Sequence, residues 1–114
     1  MAGSRSADAI WDRLDGFDRL LEHRTRLGVC VLLARNDRLN FSRLKELTDE
    51  TDGSLGAHLR KLEEGGFLKV NKEFRDRKPV TWYELSAEGR NRLDRHLAAL
   101  VELISKDHVG GEKE

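Results

Sequence analysis

The chain has 114 residues, the size of one domain, and its 21 basic and 21 acidic residues leave no net charge. No apolar run approaches the roughly 20 residues that a membrane span requires, and the N-terminus lacks the apolar core of a signal peptide. Its one cysteine, Cys30, has no partner within the chain. These features exclude a disulfide-rich secreted domain and a transmembrane protein, and they predict a single cytoplasmic domain over residues 1–114.

The N-terminal third of the chain predicts two helices. Residues 1–6 are small and polar and are expected to be disordered. A helix is expected over about residues 7–21, because apolar residues recur there at helical spacing, at Ile10, Leu14, Phe17 and Leu21. A second helix, over about residues 23–35, is apolar on almost every side, which is typical of a helix at the centre of a core.

A short helix and a longer one follow. Residues 39–41 predict a brief extended segment, and Ser42 is the expected N-cap of a helix over about residues 43–49 that buries Leu44 and Leu47. The next helix has two candidate caps, Thr51 and Asp52. A short helix before a longer one is the order found in helix-turn-helix units.

The longer helix has a buried stripe and a clear end. Leu55, Leu59 and Leu62 are spaced four and three residues apart and are expected to face inward. Two consecutive glycines at positions 65 and 66 predict its C-terminus, because one of them can adopt the left-handed conformation of a C-cap.

Beyond the glycines the sequence predicts a β-hairpin with a charged tip. Phe67, Val70 and Phe74 lie among polar residues in its first half. In the second half the apolar residues alternate with Thr81 and Glu84, as in a half-buried strand, and these are Val80, Trp82 and Leu85. Residues 75–79 form the basic turn between the two strands.

A last helix is predicted over residues 86–106, and residues 107–114 are expected to be disordered. Its apolar stripe consists of Leu93, Leu97, Leu100 and Ile104. With the N-terminal group of Ile10, Trp11, Leu14 and Phe17, this stripe exceeds what a core of this size can cover, which predicts a homodimer interface. The alternative is that the two helices pack on each other within one chain.

Charge is unevenly distributed although its sum is zero. Residues 67–82 contain five basic and two acidic residues, an excess of three positive charges, whereas residues 41–66 and 83–114 each have an excess of two negative charges. A basic hairpin beside a helix with small outward residues indicates docking to nucleic acid. The residues predicted to contact double-stranded DNA are Ser42, Ser54, Ala57, His58, Arg60, Lys61, Lys72, Arg75, Arg77 and Lys78.

Each of these assignments has a simpler alternative. The helix could be an ordinary solvated amphipathic helix, and the hairpin charges could serve only to keep exposed strands soluble, an explanation that fits Lys69 and Lys72 better than the residues at the tip. His58 lies near the buried stripe and is expected to be half-buried, packing or hydrogen-bonding within the motif. The order of helix, double glycine and basic hairpin favours DNA binding.

From about residue 21 to residue 100 the chain resembles winged helix-turn-helix transcriptional regulators, and it is most similar to the small stand-alone group with a MarR- or ArsR-like core. Two runs carry the resemblance, H-L-x-x-L-E-x-x-G at residues 58–66 and T-x-Y-x-L-S-x-E-G at residues 81–89. The resemblance implies a mainly α fold with a small β-hairpin and with N- and C-terminal dimerisation helices. It also implies a homodimer on a pseudo-palindromic operator.

The sequence departs from these regulators at Gly56 and Ala57, where many relatives carry polar or charged residues. Direct base readout is therefore expected to be limited, and DNA shape and backbone contacts are expected to carry more of the specificity. The alternative function is a winged-helix protein-interaction module without DNA binding, which the zero net charge and the bare Gly56-Ala57 surface favour.

Other chemistry has little support in the sequence. Arsenic-sensing relatives bind metal through paired cysteines on the recognition helix, whereas Cys30 stands alone. A second family pattern would use Asp94, His96, His108 and Glu112, but His96 and His108 are out of register on one helix, so no metal or other cofactor is predicted. No glycine-rich phosphate loop and no activated nucleophile is present, so no enzyme is predicted. Nothing specifies a small-molecule inducer.

Overall fold

The computed structural model describes residues 16–111, with side chains described for residues 16–105. Within this part the chain forms four α-helices and one three-stranded antiparallel sheet. In chain order the elements are a 3-10 helix (Arg19–Glu22), α1 (Arg24–Arg35), β1 (Leu39–Asn40), α2 (Phe41–Thr48), α3 (Asp52–Glu64), β2 (Leu68–Arg75), β3 (Lys78–Leu85) and α4 (Ala87–Gly111).

Helix α1 lies at the centre of the core, as its composition predicted. His23 is its N-cap, and the His23 Nδ1 atom accepts a hydrogen bond from the Thr25 amide at 3.1 Å. Val29, Cys30 and Leu33 of α1 are fully buried. Burial raises the pKa of the Cys30 thiol to about 12, so the thiol stays protonated and unreactive at neutral pH.

Helix α2 begins earlier than predicted, and Ser42 is not its N-cap. Asn40 ends strand β1 and caps α2, with its Oδ1 accepting from the Arg43 amide at 2.8 Å. Leu44 is buried as predicted, but Leu47 is 42% exposed. Leu47 lines an open surface pocket together with Leu27 of α1 and does not reach the core.

Helix α3 matches its prediction closely. Thr51 is the N-cap, and the stripe of Leu55, Leu59 and Leu62 is buried. At the C-terminal end Gly66 has φ +87°, and the amides of Gly66 and Phe67 donate to the carbonyls of Glu63 and Leu62. This pair of bonds is a Schellman motif, which explains the double glycine.

The sheet has the strand order β1-β3-β2. Its hairpin turns at Asp76-Arg77, where both residues are left-handed with φ 51° and 67°, as in a two-residue type I′ turn. The core face of β3 differs from the predicted one, because Tyr83 is buried and Trp82 lies on the opposite face. Leu85 shares the Tyr83 face, since side chains alternate strictly along a strand.

The N-terminal helix predicted over residues 7–21 falls mainly outside the described residues, and so do Ile10, Trp11 and Leu14. Where the structure is described, residues 19–22 form a 3-10 helix rather than the end of an α-helix, and Asp18 is its N-cap. Leu21 is buried in the core. The predicted disorder of residues 1–6 also concerns residues outside the described part.

Helix α4 extends to Gly111, beyond the end predicted at residue 106. Ser86 precedes it and accepts a hydrogen bond from the Gly89 amide at 2.8 Å. Leu93 is only 2% exposed and packs in the core of its own chain, so its assignment to a dimer interface was wrong. Among the described residues, no helix is long and apolar enough to cross a bilayer.

Candidate nucleic-acid interface

The outward face of α3 is open along its N-terminal half. A Cβ atom placed on Gly53 or on Gly56 would meet nothing within 4 Å, and Ala57 in the second turn is exposed. A flat surface can therefore approach the helix backbone closely at this end. Arg60 and Lys61 are exposed farther along the same helix.

The basic residues predicted to contact DNA are not neutralised within the part of the chain that the structure describes. None of them forms an ion pair there, and all are exposed, namely Arg60, Lys61, Lys72, Arg75, Arg77 and Lys78. Helix α3 packs against β2, so the helical cations and the hairpin cations belong to adjacent elements. Their charge is available to an anionic partner.

A tryptophan on the outer face of the sheet positions one of the hairpin arginines. The Arg38 guanidinium lies 4.0 Å from the centroid of the Trp82 ring, and that of Arg75 lies 5.5 Å from it. Arg38 also forms a 3.3 Å ion pair with Glu73. These contacts favour a fixed orientation of Arg75 at the base of the turn. Sequence reasoning missed Arg38, which follows a helix break and carries no motif.

Glu50 fixes the N-terminal end of α3 and engages Ser54. The hydroxyls of Thr25 and Ser54 donate to the Glu50 carboxylate at 2.6 and 2.7 Å. These two hydrogen bonds lower the pKa of Glu50. The Ser54 hydrogen predicted to reach a base or phosphate is thus already donated within the protein, and Glu50, which sequence reasoning did not single out, links α3 to α1.

His58 is half-buried and bonded within the motif, as predicted. Its ring lies 4.2 Å from the His23 ring, and its Nδ1 atom is 3.1 Å from Nη1 of Arg26. Burial lowers the pKa of His58, and electrostatic repulsion from the side chains of His23 and Arg26 lowers it further. The ring is therefore neutral at pH 7, and its contacts with His23 and Arg26 leave little of it available to contact DNA.

Arg92 of α4 fixes the C-terminal end of α3. It donates to the Gly65 carbonyl at 2.6 Å and to the Asp18 carboxylate at 2.8 and 3.2 Å. Its guanidinium lies 4.2 Å from the centroid of the Phe67 ring. Burial raises the pKa of Asp18, but the hydrogen bonds from Arg92 and from the Leu20 amide outweigh this and leave the pKa below its usual value.

Ser86 adds a second link at the same place. Its hydroxyl donates to the Gly66 carbonyl at 2.6 Å, and its amide donates to the Phe67 carbonyl at 2.9 Å. The end of α3, the start of β2 and the start of α4 are thereby joined by hydrogen bonds that do not depend on apolar packing.

Helix α4 exposes an apolar stripe beyond the core. Leu97 and Leu100 are over a third exposed, and Val101 and Ile104 are 62% and 66% exposed. The chain approaches this helix from the N-terminal side as well, because a Cβ on Gly16 would lie 3.0 Å from Ala99. Phe17 is half-buried with its ring 5.0 Å from the ring of His96.

Comparison with known proteins finds similarity to a family model, to solved structures and to a protein known by its sequence. The model of a family described as a winged helix DNA-binding domain matches residues 25–104. The structure is similar to that of a transcriptional regulator homologue from Pyrococcus horikoshii OT3, with 32% identity, a TM-score of 0.72, and coverage of 76% of this chain and 86% of that one. An uncharacterised protein of Methanocaldococcus jannaschii is 31% identical over 78 residues, which are 68% of this chain and 85% of that protein.

A MarR family transcriptional regulator from Streptomyces coelicolor, solved in complex with DNA, shares the fold. It is 22% identical, covers 90% of this chain and 69% of its own, and has a TM-score of 0.65. An ArsR family regulator has the same fold. The predicted winged helix-turn-helix architecture and the resemblance to these regulators are therefore confirmed.

Proposed function

Because the chain belongs to the family of winged helix DNA-binding domains, whose regulators bind DNA and are not enzymes, we propose that it acts as a homodimeric, sequence-specific regulator of transcription. Helix α3 enters the major groove, and the β2–β3 hairpin, the wing, contacts the backbone or the minor groove. One observation carries the proposal. The open, small-residue face of α3 lies next to cations on α3 and on the wing that no described carboxylate neutralises.

The α3 face supports close contact with the groove floor. Gly53, Gly56 and Ala57 let the helix backbone approach base edges, whereas Arg60 and Lys61 reach guanine or phosphate oxygens. Ser42 is exposed near the start of α2, where a hydroxyl suits a phosphate contact. Few long polar side chains face the bases, so sequence-dependent shape and deformability supply much of the specificity.

The wing supplies an electrostatic component. Arg75, Arg77 and Lys78 surround a tight turn, and arginine is favoured in a narrow minor groove because the potential there is strongly negative. Each phosphate that a cation neutralises adds about 0.9 to the slope of log K against log salt concentration. The expected affinity is therefore strongly dependent on salt.

The exposed stripe on α4 supports a homodimer with one recognition helix per half-site. Leu97, Leu100, Val101 and Ile104 are apolar and outward-facing, and covering them against a second copy removes apolar surface from water. In such a dimer the two half-sites of a pseudo-palindromic operator lie about 34 Å apart or a multiple of that distance.

The test is binding to the DNA upstream of the protein's own gene, titrated at several salt concentrations against random DNA. The Arg75→Ala/Arg77→Ala variant should bind more weakly with a slope shallower by up to about 1.8, two phosphate contacts' worth. The control is Arg35→Ala/Arg90→Ala, which removes the same charge from exposed positions on α1 and α4 and should leave the slope unchanged.

Three results would contradict parts of the proposal. Equal slopes for the two variants would remove the wing from the interface, and binding no tighter than to random DNA would argue against an operator in that region. No binding at low salt would reject DNA binding altogether. It would favour the protein-interaction module, which the acidic Asp49, Glu50 and Asp52 at the start of α3 make the second candidate.

A further inference from the structure

The wing carries one large apolar side chain that the fold does not use. Phe74 is 78% exposed, the largest exposed fraction among the large apolar side chains of the described residues. It lies on β2 four positions beyond Val70, which is the last residue of that face packed against the core. At about 3.4 Å per residue, Phe74 lies about 14 Å along the strand from Val70.

The register pairs Phe74 with Pro79. The two-residue turn closes on the hydrogen-bonded pair of Arg75 and Lys78, so Phe74 and Pro79 form the next pair, which is not hydrogen-bonded and brings side chains closest together. Pro79 lacks an amide hydrogen, and this position requires none. The two side chains therefore form one apolar unit just behind the tip.

Alternation places this unit on the inner face of the wing. Leu68 and Tyr83 of the same face are buried in the core against the helices, and Lys72 lies between them and Phe74 along β2. The ring thus lies on the side of the wing that faces the helices, including α3. The fold gains little from it, because a single cross-strand pair with one ring mostly in solvent contributes little to stability.

The charges around the ring decide which partner fits it. Lys72 shares the inner face with Phe74 and Arg77 lies in the turn, whereas Arg75 and Lys78 project from the opposite face of the hairpin. No described carboxylate pairs with any of these four residues. A second copy of the wing packed on this face would bring like charges together. Duplex DNA presents phosphates on both sides of an apolar floor of sugars and base edges, which matches an apolar ring near the end of a hairpin that carries cations on both faces.

We propose that Phe74, backed by Pro79, is an apolar wedge that the wing inserts into the minor groove, where it contacts deoxyribose and base edges and favours a deformable base step. This inference rests on the proposed function and assigns the wing a role in reading DNA shape. Apolar wedges act by partly unstacking a step, and pyrimidine–purine steps such as TA unstack most easily.

The first test separates the wedge from the cations through salt dependence. Phe74→Ala removes no charge, so its affinity should fall by about tenfold or more at every salt concentration, as expected for truncating a phenylalanine that becomes largely buried. Its slope should stay parallel to that of the wild type. The Arg75→Ala/Arg77→Ala variant should instead change the slope, and Phe74→Leu should bind more tightly than Phe74→Ala.

The second test compares two duplexes of equal length and composition, alternating dA–dT and the dA·dT homopolymer. Wild type should bind the alternating duplex more tightly, because only that duplex contains TA steps, and it should raise the fluorescence of a 2-aminopurine placed in it. Phe74→Ala should lose this preference and the fluorescence change. Since the ring is exposed, the melting temperature of the variant should match that of the wild type.

The outcomes distinguish the wedge from the proposed function. Salt-dependent binding by wild type with an unchanged affinity and duplex preference in Phe74→Ala would overturn the wedge and leave the regulator standing. A change of oligomeric state without a change in DNA binding would assign the ring to contact between copies and would also overturn it. No binding of wild type to any duplex would reject both.

Discussion

Replacing Arg92 by methionine should destabilise the protein more than any other single loss of charge among its described ion pairs. Methionine keeps much of the apolar contact with Phe67 but removes the bonds to the Asp18 carboxylate and to the Gly65 carbonyl. The two partners are well covered, with the side chains of Arg92 and Asp18 only 28% and 15% exposed. The variant therefore leaves a carboxylate with little access to water and no counter-charge.

The size of the effect follows from that burial. Hydrogen bonds to charged groups contribute about 1.5–3 kcal/mol, and removing one partner of a fully buried pair costs about 3–5 kcal/mol. Because more than a quarter of the Arg92 side chain is exposed to water, we expect the free energy of unfolding to fall by about 2–3 kcal/mol, closer to the range for hydrogen bonds to charged groups than to that for fully buried pairs. Arg43→Met is the control, since Arg43 and Glu46 form an exposed pair of the kind that contributes about 0–1 kcal/mol.

Urea unfolding at pH 7 measures both losses, and one protein concentration is used throughout because the stability of the proposed dimer would depend on concentration. The double variant Arg92→Met/Asp18→Asn should recover part of the loss, since it no longer leaves an unpaired carboxylate. If Arg92→Met lost no more stability than Arg43→Met, the network would have no energetic role and the reasoning would be refuted.

Two further variants test packing and protonation. Gly89→Ala should lower the free energy of unfolding by about 1–3 kcal/mol, because the new Cβ would overlap the Phe67 carbonyl. Gly28→Ala should raise it by about 0.5–1 kcal/mol, because Gly28 lies within a helix and its Cβ would enter open space. Equal effects of the two variants in chemical unfolding would contradict this reasoning. The Nδ1 atom of His96 accepts from the Asp18 amide at 2.9 Å, and burial lowers the pKa of His96. The unfolded chain therefore binds the proton more readily, so this stability is present above about pH 6.5 and is lost as pH falls through the folded pKa. His96→Asn, which keeps an acceptor and cannot be protonated, should flatten the fall in stability between about pH 7 and pH 5, and an unchanged pH profile would remove His96 as its cause.

The sequence predicted best those features that depend on neighbours within one or two turns. The leucine spacing of α3 and its glycine stop were found because helix periodicity and the left-handed C-cap are local. The start of α2 was misplaced because Asn40 and Ser42 are both good caps, and the choice depends on where β1 stops pairing with β3. The face of β3 was misjudged because Trp82 and Tyr83 are adjacent aromatic residues, and only the register shows which one meets the core.

The sequence predicted which types of residue form the candidate site, but it did not predict the hydrogen bonds and ion pairs that orient them. The exposed cations of the wing follow from composition and from the turn. The residues that orient the site are ordinary charged residues in the sequence. Their partners are distant, with separations of 35 residues for Arg38 and Glu73, 25 for Glu50 and Thr25, and 74 for Arg92 and Asp18. No local pattern reveals contacts over such distances.

Those distant contacts fix both ends of α3, the proposed recognition helix. Glu50 links the start of α3 to α1, and Arg92 links its end to α4, so α3 is attached at both ends to helices that lie outside the proposed DNA interface. In the proposed dimer the two copies of α4 carry the apolar contact between subunits. The separation of the two recognition helices is then set by α4 through Arg92, whereas the wing sets only the contacts made within each half-site. Half-site spacing and wing-dependent affinity should accordingly be separable properties of this fold.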